Sequence, residues 1–323
     1  MSLPNRVFKP NRLMELVAVG LLASCQSVPP PLSSDAPMRP INHAIGMTQI
    51  PVDPQRVVVL DYSPLDTAFA LNVTPIGRPE LSASPIYPEA NNDIPSVGQG
   101  FQPNIETIFN LKPDLILGTK VMARGSYKKL SRIAPTVFSQ DNGRYGNWKD
   151  HFLLHGDALG QSEKAEALLA DYQQRVDRVK SQLAQIPQTT IASVVTHWSG
   201  GVLTYTTNSF SGAILQDLGF KRNPFQEKSK KYALQPSKEE LAAIDGDIIF
   251  LMYDAAFEGS IAKTEFVSDP LWATLNAVER DMVCEVSGAV WAGGRSILAA
   301  NQILTDIEMC LGVGAAAKTN RGE

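Results

Sequence analysis

NIETIFNLKPDLIL, residues 104–117, carries the reading that decides the fold. Asn104 is a good helix N-cap, and Ile105 to Leu111 supply a short helix behind it. Pro113 cannot continue that helix, and Asp114-Leu115-Ile116-Leu117 then forms a short apolar run suited to a strand buried on both faces. The same device returns in KEELAAIDGDIIFL, residues 238–251. Glu106-x-x-x-x-Leu111-Lys112-Pro113-Asp114 in the first copy matches Glu239-x-x-x-x-Ile244-Asp245-Gly246-Asp247 in the second. A glutamate opens a short helix, an aspartate follows, and an apolar strand begins. Self-similarity of this kind predicts two lobes of one architecture.

Outward from these segments, strands and helices alternate. Residues 56–60, 73–76 and 136–138 read as strands of the first lobe; Leu65–Leu71, placed after Pro64, and residues 126–133 read as its helices. In the second half, residues 191–195 and 282–286 read as strands. Ser211–Leu218, closed by Gly219, and Ser296–Leu311 read as helices. Between the halves, Ser162 serves as N-cap to apolar positions at Ala165, Leu168, Leu169, Tyr172, Val176, Val179, Leu183 and Ile186, a helical period that ends at Pro187. At about 1.5 Å per residue this rod is about 36 Å long, enough to join two lobes. The expectation is an α/β protein of two Rossmann-like lobes with parallel sheets, joined by one long helix.

The chain has 323 residues and a formal net charge of −4. No long basic run is present, which excludes a nucleic-acid footprint. Arg6, Lys9 and Arg12 precede an apolar stretch, Leu13–Ala23, that is too short to span a bilayer and carries one carboxylate, Glu15. Leu22-Ala23-Ser24-Cys25 resembles a bacterial lipobox, which makes Cys25 the lipid-bearing first residue of the mature protein. A plain secretory signal with an incidental cysteine is the alternative. The domains then read as a signal peptide (1–24), a Pro/Ser-rich tether (25–41), an N-terminal lobe (42–149), a linking helical segment (150–187) and a C-terminal lobe (188–318). Cys284 and Cys310 sit in apolar surroundings and read as two buried free thiols, with pairing in an oxidising compartment as the alternative.

Ligands of open α/β sheets bind beyond the carboxyl ends of the strands. Lys120, Met122, Arg124, Arg144, Tyr145, Trp148, His197, Trp198, Tyr205, Tyr253, Trp291 and Arg295 all lie just after strands. Aromatic faces with guanidinium and ammonium groups suit a small anion. Catalysis is poorly provided for: phosphate-loop, dinucleotide and nucleophile-elbow motifs are absent. His151 and His155 have zinc-compatible spacing but lack a glutamate neighbour and a third ligand, so they read as core or surface histidines. Met122 or Met252 with His197 leaves haem ligation as a further reading.

The chain as a whole resembles the solute-binding proteins of bacterial ABC importers for ferric siderophores, in the branch of the ferric-citrate binders. The resemblance covers about residues 42–311. It is carried by Ile50-Pro51-x-x-Pro54-x-Arg56-Val57-Val58, Pro75-Ile76-Gly77, Ser96-Val97-Gly98, the 104–117 segment, Ile133-Ala134-Pro135-Thr136-Val137, Asp269-Pro270-Leu271-Trp272, and Val290-Trp291 through Ile303. It implies a cleft between the lobes that holds iron(III) only as a siderophore complex. No intrinsic cofactor, no protein metal ligand and no catalytic residue are expected. Lys120, Arg124, Arg144, Trp148, Trp198, Tyr205, Tyr253, Trp291 and Arg295 are the expected ligand contacts. Glu106 and Glu239 are implied to meet arginines of a permease dimer, itself driven by an ATPase. The resemblance further implies a monomer on the outer side of the cytoplasmic membrane, with a citrate- or hydroxamate-type ligand. Two departures stand out: Gly293 and Gly294 leave only Arg295 where the branch carries an arginine soon after its tryptophan, and the basic residue near Met122 is displaced to Lys120 or Arg124. They bear on which siderophore is bound, not on the class. Haem or a corrinoid in the same cleft is a second expectation, and a two-lobed sugar-nucleotide transferase a third, disfavoured by the export signal.

Overall fold

The computed structural model describes residues 37–80, 86, 93–198, 201–253 and 266–313. The signal segment and Cys25 lie outside them.

An antiparallel hairpin comes first, β1 (Met38–His43) against β2 (Gly46–Pro51), with His43 paired to Gly46. β1 thus starts before residue 41, where the tether is expected to end. Gly46, at φ 134°, makes the turn that an L side chain resists.

The first sheet has the order β3 (Val57–Val59), β6 (Leu115–Thr119), β7 (Thr136–Ser139), all parallel. Between β3 and β6 lie helix α1 (Tyr62–Ala70), a two-residue ribbon of β4 (Gly98–Gln99) and β5 (Gln102–Pro103), and helix α2 (Ile105–Leu111). Residues 73–76 form no strand; the chain makes a single parallel bridge one step later, Val58 to Gly77. Asn104 caps α2 as its sequence requires, accepting the Thr107 N–H at 3.1 Å.

The second sheet has the order β10 (Ala233–Leu234), β9 (Gly201–Tyr205), β8 (Ala192–Trp198), β11 (Ile248–Tyr253), β12 (Val283–Ser287). β8, β11 and β12 are parallel, but β9 and β10 are antiparallel. The second sheet is therefore mixed, where an all-parallel one was expected. The β8–β9 connection is a hairpin with Trp198 opposite Gly201, and such a link requires reversal of direction. Lys238–Ile244, expected as a helix, is one, wound as 3₁₀.

Helices α3 (Trp148–Ala158) and α4 (Ser162–Gln182) lead from one half to the other; α5 (Phe210–Asp217) and α6 (Ile297–Cys310) follow. The 21 residues of α4 span about 31 Å, and a 3₁₀ turn at Leu183–Gln185 completes the rod. Gln161, not Ser162, is its N-cap residue. The Ser162 hydroxyl instead donates to Asp157 Oδ1 at 3.0 Å.

Burial explains why the strands read as unbroken apolar runs. Val57, Val59, Leu115 and Leu117 turn one way into a core shared with Ala192, Val194, Phe250, Cys284 and Val286 of the second sheet. Val58, Leu60, Ile116 and Phe138 turn the other way into a cluster of the first half, and Val195, Ile249 and Leu251 into one of the second. Both faces of each sheet are covered, so alternation changes the partner and not the polarity. The shared core includes Ala165, Tyr172, Val176 and Val179 on one stripe of α4. That rod is also anchored by polar contacts: Lys164 Nζ donates to Leu71 O at the end of α1, and Arg175 reaches Thr305 Oγ1 (2.7 Å) and Glu308 Oε2 (2.8 Å) on α6.

Cys284 of β12 and Cys310 of α6 form a disulfide, with Cα atoms 5.9 Å apart. This corrects the expectation of free thiols. Residues 26 apart in sequence become neighbours because α6 packs back against the edge strand, a distance no sequence pattern discloses. Among the described residues, no helix is long and apolar enough to cross a membrane.

Candidate ligand-binding site

The carboxyl rim of the first sheet is built from four turns. After β3, Asp61 caps α1, accepting the Tyr62 N–H at 2.8 Å, and its second oxygen accepts the Thr119 hydroxyl at 2.9 Å from the end of β6. The tip of the β4–β5 ribbon rests on this turn. A Cβ on Gly100 would stand 2.7 Å from Leu60 O and 3.6 Å from the Met122 side chain, so glycine lets the ribbon settle there. Phe101 follows it and is 61 % exposed. After β6, the short helix Lys120–Ala123 carries Lys120, whose ammonium donates to Gln140 Oε1 at 3.3 Å, and Val121, 59 % exposed. Arg124 is exposed at its end.

The turn after β7 is organised by Asp141. Its Oδ1 accepts the Gly143 N–H (3.0 Å) and its Oδ2 accepts the Asn147 amide (2.9 Å), while Ser139 Oγ donates to its carbonyl. Gly143 has φ 73°, and a Cβ there would stand 2.4 Å from Arg295 O, so the two halves meet at this turn. The next residue, Arg144, crosses to the second half. Its carbonyl accepts the Phe210 N–H at 2.9 Å. Its guanidinium donates to Tyr232 OH at 3.2 Å and lies 4.8 Å above the Tyr232 ring, a cation–π arrangement. Tyr145 meets the same ring edge-on at 5.7 Å, and Tyr205 lies 6.4 Å from it. Arg144, Tyr145, Tyr205 and Tyr232 thus make one half-exposed cationic and aromatic cluster across the junction.

Other expected contacts lie elsewhere. Trp148 is fully buried, edge-on to Tyr172 (5.1 Å) and Phe210 (5.8 Å) in the shared core. Trp291 is fully buried on Phe250 (4.6 Å), with its indole N–H donated to Asp306 at 2.7 Å. Neither ring has a face left for a ligand. Trp148 opens α3 and Trp291 closes the one-turn helix Gly288–Trp291 after β12, and large apolar rings where helices pack back onto the sheets are drawn inward. Arg295 is buried too; its Nη1 lies 3.5 Å from Asp61 Oδ1 and its guanidinium 5.6 Å from the Tyr62 ring. Its charge is spent on holding the halves together. Tyr253 ends β11, and Trp198 ends β8 one strand over, with its side chain outside the described residues. Tyr205 faces Val194, four residues before Trp198, which is about 13 Å at roughly 3.3 Å per residue. The second-half candidates therefore divide between two ends of β8.

The histidines are not ligands in waiting. Burial drives His155 down to about 3, and the neighbouring His151 charge adds to that effect. Burial also lowers His151, against the pull of Asp141, 3.7 Å away, and of Asp150. Met252 sits opposite Thr196, so His197 projects from the other sheet face, where it stacks on Phe266 at 4.6 Å. Met252 and His197 cannot flank one haem iron. Among the described residues, no group of three or more His, Cys, Asp or Glu could hold a metal ion.

Tyr232, Phe101 and Val121 were missed in the sequence. Tyr232 ends the basic run Lys228-Ser229-Lys230-Lys231, a signal left unused, while Phe101 follows a glycine at a ribbon tip. Of the docking candidates, Glu106 is exposed in the first turn of α2. Glu239 falls in the first turn of the 3₁₀ helix, its side chain outside the described residues.

A family model described as periplasmic binding protein matches residues 57–288. The chain is 35 % identical over 310 residues to the probable siderophore-binding lipoprotein YfiY of Bacillus subtilis, covering 91 % of this chain and 94 % of that one. It is 30 % identical over 273 residues to the Fe(3+)-citrate-binding protein YfmC of the same organism, covering 83 % of this chain and 84 % of that one. Staphylococcus aureus SirA, solved in complex with staphyloferrin B, superposes with a TM-score of 0.76 at 30 % identity, over 85 % of this chain and 99 % of that one.

Proposed function

We propose, from the premise that this chain belongs to the periplasmic binding protein family, that it captures a ferric siderophore outside the cytoplasmic membrane and hands it to an ABC permease. It is a binding protein and not an enzyme, as its family is. The observation that carries the reading is the Arg144–Tyr232 pair: a guanidinium stacked on a tyrosine where the two halves join, beside Tyr145 and Tyr205. Such a surface grips the anionic oxygens of a chelate and covers its flat faces. The iron comes already chelated, so the site needs no metal ligands of its own. Lys120, Arg124, Arg144 and Tyr205 remain the proposed contacts; Tyr253 and Trp198 lie at the other end of β8 from Tyr205.

The remaining parts of the reading are delivery and location. Cys25 carries the lipid anchor. Glu106 and Glu239 set the register of a monomer on the permease dimer, whose ATPase drives import; two separated carboxylates suit that task. The core shared by both halves favours small lobe movements over wide closure.

Isothermal titration with ferric citrate and with ferric hydroxamates tests this. Saturable binding of the ferric form, and weak or no binding of the iron-free chelator, is expected. Arg144→Ala should weaken binding about tenfold or more, the usual scale for losing a charge-assisted contact. If no ferric chelate gives a saturable isotherm, the reading fails.

A further inference from the structure

Resting on that reading, we infer that His151 is a positioning residue that makes ligand capture sensitive to acid: neutral, it holds through Asn147 and Asp141 the turn that presents Arg144; protonated, it breaks that hold and the ligand is bound less tightly.

The ring lies directly behind the turn. His151 is buried on α3, one helical turn after Asn147. The Asn147 amide nitrogen stands 3.3 Å from His151 Nε2 and 2.9 Å from Asp141 Oδ2. An amide nitrogen only donates, so Nε2 accepts one of its protons and Asp141 the other. The neutral ring therefore carries its own proton on Nδ1, which faces Asp141 Oδ1 at 3.7 Å and finds no hydrogen-bond partner among the described residues. That same Oδ1 accepts the Gly143 N–H at 3.0 Å. Gly143 is wedged against Arg295 O, and Arg144 follows it, tied at its carbonyl to Phe210. His151, Asn147 and Asp141 set one side of the turn, and the second half of the molecule sets the other.

A proton added at Nε2 points at the Asn147 N–H. Two donors cannot face each other, so the amide turns away and its bond to Asp141 goes with it. The new positive charge meanwhile pulls on Asp141, the acceptor that fixes Gly143. One proton thus disturbs both of the carboxylate's ties to the turn, and Arg144 loses the backbone that aims it at Tyr232.

Burial holds the His151 ring below its ordinary value, with Asp141 and Asp150 opposing, so the neutral form prevails at neutral pH and the proton is taken up in acid. His155, the other histidine of α3, is held near 3, so His151 changes charge first. The elements packed against α3 bring further charged groups, and these are engaged or in water. Asp61 meets Arg295 and Thr119, Asp66 of α1 accepts the N–H groups of Leu298 and Ala299, and Lys164 of α4 donates to Leu71 O. Glu163 and Glu166 of α4 are exposed, and β7 carries no titratable side chain. Affinity is therefore full near neutrality and falls as pH drops below about 6.5.

The test is isothermal titration of the mature protein with ferric citrate and with a ferric hydroxamate, from about pH 7.5 to about pH 5, for the wild type, His151→Gln and Asn147→Ala. The ratio of variant to wild type at each pH cancels the chelate's own response to acid. Over that range the wild type should lose up to about tenfold more affinity than either variant, the scale of one charge-assisted contact. Arg144→Ala should bind weakly and with the same flattened profile. A merely structural role for His151 would instead lower affinity by one factor at every pH. Amide hydrogen exchange over residues 141–147 reads the turn without ligand: protection in the wild type, relative to His151→Gln, should drop with acid. Parallel pH profiles in the wild type and both variants, or a slope that survives in Arg144→Ala, would overturn the inference and leave the siderophore reading standing. If no chelate gives a saturable isotherm at any pH, the siderophore reading fails and this inference with it.

Discussion

The two halves use the same aspartate differently. Before β6, Asp114 Oδ2 and Oδ1 accept the backbone N–H groups of Gln55 (2.7 Å) and Arg56 (2.9 Å), and its own N–H donates to Arg56 O. It pins the start of β3. Before β11, Asp247 Oδ2 accepts the Ile191 N–H (2.9 Å), and its own N–H donates to Ile191 O, pinning the start of β8. The sequence echo is thus a strand-start clamp built twice. Asp114 is buried and serves two donors through both oxygens. The Asp247 side chain is 38 % exposed, and among the described residues its second oxygen meets Arg280 and Asn276 at 3.5 Å. The first half relies on one buried clamp over a small parallel sheet. The second has a wider mixed sheet and a disulfide, and leans less on any single carboxylate.

This contrast can be attacked by mutation. The largest losses should come from the core that joins the halves: Trp148→Ala and Trp291→Ala should each cost about 3–5 kcal/mol in urea unfolding. A Trp148→Ala protein that keeps its stability but loses ligand would return that ring to the binding site. Asp114→Ala should cost about 3 kcal/mol, since two half-buried N–H groups lose a charged acceptor shared through both oxygens, and Asp247→Ala only about 1. Equal costs would dissolve the asymmetry. Breaking Cys284–Cys310 by double alanine substitution should cost about 2–4 kcal/mol, with hydrogen exchange quickening in β12 and α6 before β3 and β6.

Acid should act through the junction. His155 is held near 3 in the folded protein, below its value when unfolded, so the unfolded chain binds the extra proton. Stability from this group is complete above about pH 6.5 and falls as pH drops towards 3. Thermal melts of His155→Leu should show a shallower decline between those values than the wild type; identical slopes would remove the histidine from the account. The smallest effect on folding belongs to Glu106→Ala, within about 0.5 kcal/mol, although iron uptake in cells should drop if the carboxylate docks on the permease.

Much of the architecture was legible in the residues. Asn104 as a cap, Pro113 as a stop, the apolar strands and the stripe on α4 are local signals, and local chemistry enforces them. Reversal and pairing leave no such local signal. β9 runs antiparallel to β8, a reversal that the residues after Val195 do not announce, and β1 overlaps the end of the segment expected as tether. At the site, Arg144 and Tyr205 were found by their place after strands, but Tyr232, which stacks on Arg144, comes from a basic loop 88 positions along the chain.

Hydrophobic period, caps and breakers along the chain determined that there would be two αβ units and a rod between them, because each such element is specified within a few residues of itself. Only the tertiary structure decided which rings were core and which were rim. Trp148, Trp291 and Phe101 are all aromatic and all lie at helix ends or turns. Two are enclosed and one stands in water, because burial is set by what the rest of the chain lays over each position.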